Sequence, residues 1–169
     1  MDVQTLLGYF QQYGAIFIFA VVFLEYLNLP GFPAGVILPL SGLMASLGRI
    51  GILVAIVVTV FAGLLGSWAL YGLGRAGGHV FLNWFYKKFP KKKDTIDKYI
   101  NFVQSKGFWG IFIAKLIPMI RTLVSIPAGA MKMGFLKYTV SSTLGILVWN
   151  TVFIAIGYFA GESIFGAIL

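Results

Sequence analysis

The chain is short of the residues from which most catalytic sites are built. It has no cysteine and one histidine, and its 5 acidic residues stand against 13 basic ones. Without cysteine there is no disulfide, no thiolate metal site and no thiol nucleophile. One histidine, His79, cannot supply the phosphoenzyme chemistry of a phosphatidic-acid-phosphatase-type enzyme. An intramembrane serine protease needs a Ser–His pair, but Ser41-Gly42 lacks the G-x-S-G context and His79 stands in a different segment. A zinc hydrolase needs a ligand cluster that is missing. Neither catalysis nor a metal or cofactor is expected.

Charge as a whole is scarce. Only 11% of the residues are charged, against about 25% in an ordinary soluble domain. Hydrophobic residues make up 59%, and the mean hydropathy is +0.91. That is too little polar surface for a soluble globule, so the solvent for most of the chain is lipid. A spanning helix takes about 20 apolar residues. The 169 residues therefore make one membrane domain, residues 1–169, with no room for a sizeable soluble one. Met1-Asp2 is followed by polar residues, with neither a basic n-region nor a cleavage site, so the chain is read as mature. In this setting a net charge of +8 bears on orientation and anionic lipid before nucleic acid. No nucleic-acid partner is expected.

Two stretches, residues 50–74 and 138–161, carry no charge and are long enough to span a bilayer. Two others are broken. Residues 14–48 hold one charge, Glu25, among Pro30, Gly31, Pro33, Gly35 and Pro39. As one helix they would run about 50 Å, too long for one crossing. As two full crossings they fall short of about 40 residues. Residues 107–131 are shorter and contain Lys115, Pro118, Arg121, Pro127 and Gly129. Proline removes a backbone donor. In lipid, broken backbone survives only inside protein or against a wet cavity. Both stretches read as re-entrant hairpins, turning around Pro33 and Gly35 in the first and around Pro118, Ser125, Pro127 and Gly129 in the second.

Residues 79–106 form a basic amphipathic segment. Asp94 and Asp97 resemble a capping box. Ile96, Tyr99, Ile100 and Val103 then recur at helical spacing, which predicts an interfacial helix that Gly107 ends. A second interfacial helix is expected within residues 1–13. The two halves follow one plan: Gly14 or Gly107, a broken stretch with Pro33-Ala34-Gly35 or Pro127-Ala128-Gly129, then a span with Trp68 and Gly74 or Trp149 and Gly157. This is a weak internal repeat, and one crossing per half makes it an inverted one. The fold expected is an all-α polytopic membrane protein: two re-entrant hairpins and two full transmembrane helices in a pseudo-inverted repeat, with interfacial helices. Arg75, the lysines from Lys87 to Lys106, Lys132 and Lys137 share one face; Asp2, Arg49 and Glu162 lie opposite. The positive-inside rule places the lysine face in the cytoplasm of a bacterial-type cell membrane, where the cluster could hold anionic lipid.

Glu25, Lys115 and Arg121 carry the chemistry. Each sits in a broken apolar stretch, where a charge is costly unless paired or facing water. Their equivalent places in the halves would let them converge. Two cations and one carboxylate suit an anion, above all a phosphate, since arginine offers a planar fork and lysine a point charge. An internal salt bridge between the hairpins is the competing explanation. Arg75, in YGLGRAGG, serves either as an interfacial anchor or as a headgroup contact. His79 reads as an interface residue, and the four tryptophans as packing or belt residues. Homo-oligomers and a proton-coupled role for Glu25 stay open.

The strings GLLGSWALYGLGRAGG and KGFWGIFIAKLIPMIRTLVSIPAGAMKM, followed by F-x-K-Y-x5-G-x3-W, resemble the DedA family, also called SNARE-associated or VTT-domain proteins. The likeness covers roughly residues 10 to 160. The family's R-F-x-P-x-x-R is here Lys115 to Arg121: Arg121 matches the second arginine, and Lys115 replaces the first with its charge kept. Ser125 and Pro127-Ala128-Gly129 match its S-x-x-A-G. Glu25 matches the first family acid; the second falls at Val36 and is lost. The resemblance implies facing re-entrant hairpins and movement of a phosphate-bearing lipid between leaflets, undecaprenyl phosphate first and a phospholipid such as phosphatidylethanolamine second. A coupled small-solute transporter and a structural envelope protein are the alternatives.

Overall fold

The computed structural model describes residues 3–27, 35–88, 93–118 and 120–165. The predicted turn residue Pro33 lies outside them, as do Pro30, Gly31, Lys91 and Lys92. The described residues form eight helices and no strand: α1 Val3–Tyr26, α2 Ile37–Ser46, α3 Ile52–Lys88, α4 Lys93–Lys106, α5 Phe108–Lys115, α6 Ile120–Leu123, α7 Ser125–Ala130 and α8 Phe135–Phe165.

Two helices are long and apolar enough to cross a bilayer. They are Ile52–Gly78 within α3, with mean hydropathy 2.3, and Phe135–Ala160 within α8, with 1.7. Only 33% and 28% of these windows are buried. The core helix of a soluble protein would be mostly covered. Here Leu53, Val57, Leu73, Leu136, Val152 and Phe159 stand exposed, as lipid-facing side chains do. Both helices outrun their chargeless stretches. α3 passes Arg75 and continues to Lys88 across a kink at Gly78, whose φ/ψ of 46/−130° is non-helical.

The broken stretches yield short helices. Tyr13–Tyr26 and Ile37–Ser46 are apolar but too short to cross, and α5, α6 and α7 have 8, 4 and 6 residues. Gly35 stands in a turn just before α2, and Pro118 in the break between α5 and α6. Ser125, Pro127 and Gly129 differ from the expected turn: all three are helical, inside α7. Pro127 is the third residue of that helix. Its missing N–H would have had no partner there, so proline is tolerated in the first turn.

Gly14, Gly78 and Gly107 share one conformation, φ/ψ of 50/−125°, 46/−130° and 54/−113°. L side chains rarely adopt it, and glycine does so freely. At Gly14 it kinks α1. At Gly107 it separates α4 from α5, where the amphipathic pattern ends.

The chain divides into two compact units, residues 1–65 with 147–169, and residues 66–146. α3 and α8 contribute to both. In the first unit, Ile18, Val22, Ile37, Leu40 and Ile154 are fully buried. α2 and α8 touch backbone to backbone: a Cβ on Gly42 would run into the Ile154 carbonyl, and one on Gly157 into the Pro39 carbonyl. In the second unit, Tyr71, Ile111, Ala114, Val124, Ala128 and Tyr138 form the core. α7 and α3 make the same kind of reciprocal contact there, Gly129 on the Tyr71 carbonyl and Gly74 on the Ile126 carbonyl. Small residues let helices approach this closely where no hydrophobic force drives them together.

Candidate functional site

The second unit holds a buried polar cluster. Lys115 ends α5 and is fully buried. Its Nζ donates to Ser67 Oγ on α3 at 2.8 Å and to Ser125 Oγ at the start of α7 at 3.0 Å. The Tyr138 ring lies with its centroid 6.0 Å from Nζ, within reach of a cation–π attraction. Tyr138 itself donates to the Ser67 carbonyl at 3.2 Å. Gly145 of α8 makes room for the lysine stem, since a Cβ there would sit 2.5 Å from Lys115 Cβ. One ammonium thus draws on α3, α5, α7 and α8 together.

Arg121 follows one short break later, in the four-residue α6, and is 3% exposed. Its backbone N–H bonds Ile117 O at 3.0 Å across the break. Thr122 and Ser125 are buried beside it in sequence. Lys115 and Arg121 are thus two buried cationic residues close in sequence to several buried hydroxyls. These groups bind phosphate oxygens well, because charge-assisted hydrogen bonds are strongest where water is excluded.

Arg75 stands apart from this cluster. It is exposed, and its Nη1 donates to Tyr71 Oη at 3.0 Å. Tyr71 in turn donates to the Met133 carbonyl. Glu25 belongs to the first unit, where it is buried at the end of α1. The neighbouring Tyr26 donates to Asn150 Oδ1 at 3.3 Å, and Asn150 Nδ2 is buried with no hydrogen-bond partner.

Ser67, Tyr138 and Asn150 escape a reading based on charge. Ser67 hides in the glycine-rich GLLGSWALYGLG, and Asn150 is the one amide in the last span. A polar side chain inside a spanning stretch was the available signal.

Among the described residues no group of His, Cys, Asp or Glu could hold a metal ion. Outside the membrane segments, Tyr86 donates to Asp97 Oδ1 at 2.5 Å, tying the end of α3 to α4. Burial and that carboxylate push the Tyr86 hydroxyl up to about 12.

The model of the VTT domain matches residues 32–159. The chain belongs to the VTT-domain family. The match takes in α2, the second unit and most of α8. An undecaprenyl phosphate transporter A of Bacillus subtilis is 37% identical over 131 residues, covering 78% of this chain and 66% of that protein. A second protein of that name, from Staphylococcus aureus, is 29% identical over 170 residues, 98% of this chain and 83% of its own. An alkaline phosphatase-like protein of Lactococcus lactis is 32% identical over 152 residues, 86% of this chain and 71% of its own. No solved structure matches. This VTT-domain chain is an all-helical membrane protein.

Proposed function

We propose that this VTT-domain protein moves a phosphate-bearing lipid between membrane leaflets, with undecaprenyl phosphate as its first candidate and a phospholipid such as phosphatidylethanolamine as its second. The observation that carries the reading is the buried cluster: Lys115, Arg121 and Ser125 in a stretch of helices too short to span, with Ser67 facing Lys115 from the spanning α3. A bare phosphate cannot enter hydrocarbon. A fixed set of cationic and hydroxyl donors replaces its water shell, while the lipid tail stays in the bilayer. Two relatives carry names that refer to undecaprenyl phosphate, which favours a polyprenyl phosphate over other lipids.

On this reading α1 beyond Gly14 with α2, and α5 with α6 and α7, are the two re-entrant hairpins. Their lengths support it, since 14 and 10 apolar residues rise about 21 and 15 Å against a core of roughly 30 Å. An inverted repeat draws support from the reciprocal glycine contacts. Those contacts pair Gly42 with Gly129 and set aside the register in which Gly35 answers Gly129. The chain crosses the membrane with its lysine-rich face in the cytoplasm. Arg121 supplies the bidentate fork and Lys115 a point charge. Two relatives are named as transporters and one as alkaline phosphatase-like; the transporter names support transport.

The test is reconstitution in vesicles with either undecaprenyl phosphate or phosphatidylethanolamine and a leaflet-accessibility readout. Protein-dependent exchange of the phosphate monoester supports the proposal. Exchange of neither lipid overturns it.

A further inference from the structure

The end of α7 carries a residue that its backbone does not favour. The N–H of Lys132 bonds Gly129 O at 2.8 Å and the N–H of Met133 bonds Ala128 O at 3.1 Å. That is a Schellman motif, whose left-handed position normally belongs to glycine. Here the position is Lys132, with φ 55°, the sole positive-φ residue other than glycine among those described. α2 ends in the same motif. Gly48 N bonds Ala45 O at 3.1 Å and Arg49 N bonds Met44 O at 3.0 Å, and Gly48, at φ 67°, occupies the left-handed place. The same turn is thus built once with glycine and once with an exposed lysine. Backbone strain retained at one residue points to a use for its side chain.

Arg75 stands beside it. The hydroxyl that receives Arg75 Nη1 at 3.0 Å donates to the carbonyl of Met133, the residue after Lys132. The α7 backbone also lies on Arg75, since a Cβ on Gly129 would come within 2.8 Å of its N–H nitrogen. One guanidinium N–H is fixed by Tyr71, and the group as a whole is exposed. The rim is aromatic and apolar: Phe135, 50% exposed, packs on Trp68 and Tyr71 with centroids 5.5 and 5.8 Å apart, and Leu136 is 76% exposed. Arg75, held by Tyr71, and the exposed Lys132 beside an apolar rim match a phosphate headgroup with its tail still in the bilayer.

We propose that Arg75 and Lys132 form a loading seat for the phosphate headgroup of a membrane lipid at the lysine-rich end of the second unit, outside the buried Lys115 cluster. The proposal rests on the lipid reading above and adds a second station to it. A headgroup held here is partly desolvated at the interface before it meets Lys115 and Arg121. α7 links the stations, because Ser125 at its start bonds Lys115 and Lys132 follows its end.

The experiment measures lipid retention by native mass spectrometry of the full chain with phosphatidic acid, and exchange rates against the mole fraction of undecaprenyl phosphate in phosphatidylcholine vesicles. Lys132→Gly and Arg75→Gln should each weaken phosphatidic acid retention about fivefold, the usual worth of one interfacial cation. Each should raise KM with the maximal rate kept. Lys132→Gly should melt at or above the wild-type temperature, which separates a ligand effect from misfolding. Arg49→Gln, removing an exposed charge outside the lysine-rich face, should change neither. Unchanged retention in both seat variants overturns the seat, as does an equal loss in Arg49→Gln, which would mean general surface attraction. Inorganic phosphate binding as well as the lipid does also overturns a lipid seat. Retention does not depend on transport. If wild type moves no lipid yet the seat variants lose retention, the transport reading fails and the seat stands.

Discussion

Replacing Lys115 by methionine separates the two things a buried lysine can do. Its ammonium is fully buried and donates to Ser67 and Ser125 at 2.8 and 3.0 Å. Two hydrogen bonds to a charged group are worth about 3 to 6 kcal/mol together. Holding an ammonium out of water costs several kcal/mol, so the two terms nearly cancel. Methionine keeps the stem volume against Gly145 and removes the charge. The freed serine hydroxyls can turn to a carbonyl one helical turn back, as Ser41 does to Ile37 O at 2.7 Å. Lys115→Met should therefore unfold within about 1.5 kcal/mol of wild type, whereas Lys115→Ala, which leaves a cavity, should lose about 2 to 5 kcal/mol. Transport should fall at least about 30-fold in both, the scale for removing one partner of a buried charged contact. The assays are thermal unfolding in detergent and leaflet exchange in vesicles. A Lys115→Met protein destabilised by more than about 3 kcal/mol that still transports would make Lys115 a structural tie and refute the reasoning.

The remaining predictions concern packing, the α3–α4 tie and topology. Gly42→Ala and Gly74→Ala place a methyl group against backbone carbonyls and should each destabilise by about 1 to 3 kcal/mol, read as a lowered unfolding midpoint. Tyr86→Phe should cost about 1 kcal/mol near neutral pH. Because folding raises the Tyr86 hydroxyl from 10.0 to about 12, its contribution is present below pH 10 and fades as the pH climbs to 12; unfolding midpoints at pH 8 and 11 should converge for the two proteins. The chain has no native cysteine, so single cysteines report cleanly. Lys98→Cys and Lys137→Cys should be shielded from an impermeant thiol reagent in intact cells and Arg49→Cys labelled; opposite labelling of positions 98 and 137 would refute the two-crossing topology.

The two long helices were legible because a chargeless apolar run has one stable form in lipid. Gly107 was legible because it ends an amphipathic pattern. The broken stretches were read correctly as broken but misread in detail. Proline and glycine mark where a helix can break, yet Pro127 sits in a first turn, where its missing N–H does no harm, and Gly129 serves a close helix contact. The matching Pro-Ala-Gly strings suggested a register that the glycine contacts do not follow, because contact depends on which carbonyl lies opposite. Lys115 and Arg121 announced themselves as charges in an apolar stretch. Ser67 and Tyr138 did not, since their role comes from long-range packing of α3 and α8 around one ammonium. Lys132 looked like another positive-inside marker, and only its backbone conformation sets it apart.

The most direct test of the phosphate site is the leaflet-exchange rate of undecaprenyl phosphate with Arg121→Ala and Arg121→Lys, each first confirmed as folded by its unfolding midpoint. Arg121→Ala should exchange no faster than protein-free vesicles, and Arg121→Lys should recover only part of the rate because the charge returns without the bidentate fork. Wild-type exchange by Arg121→Ala would contradict the account at its centre.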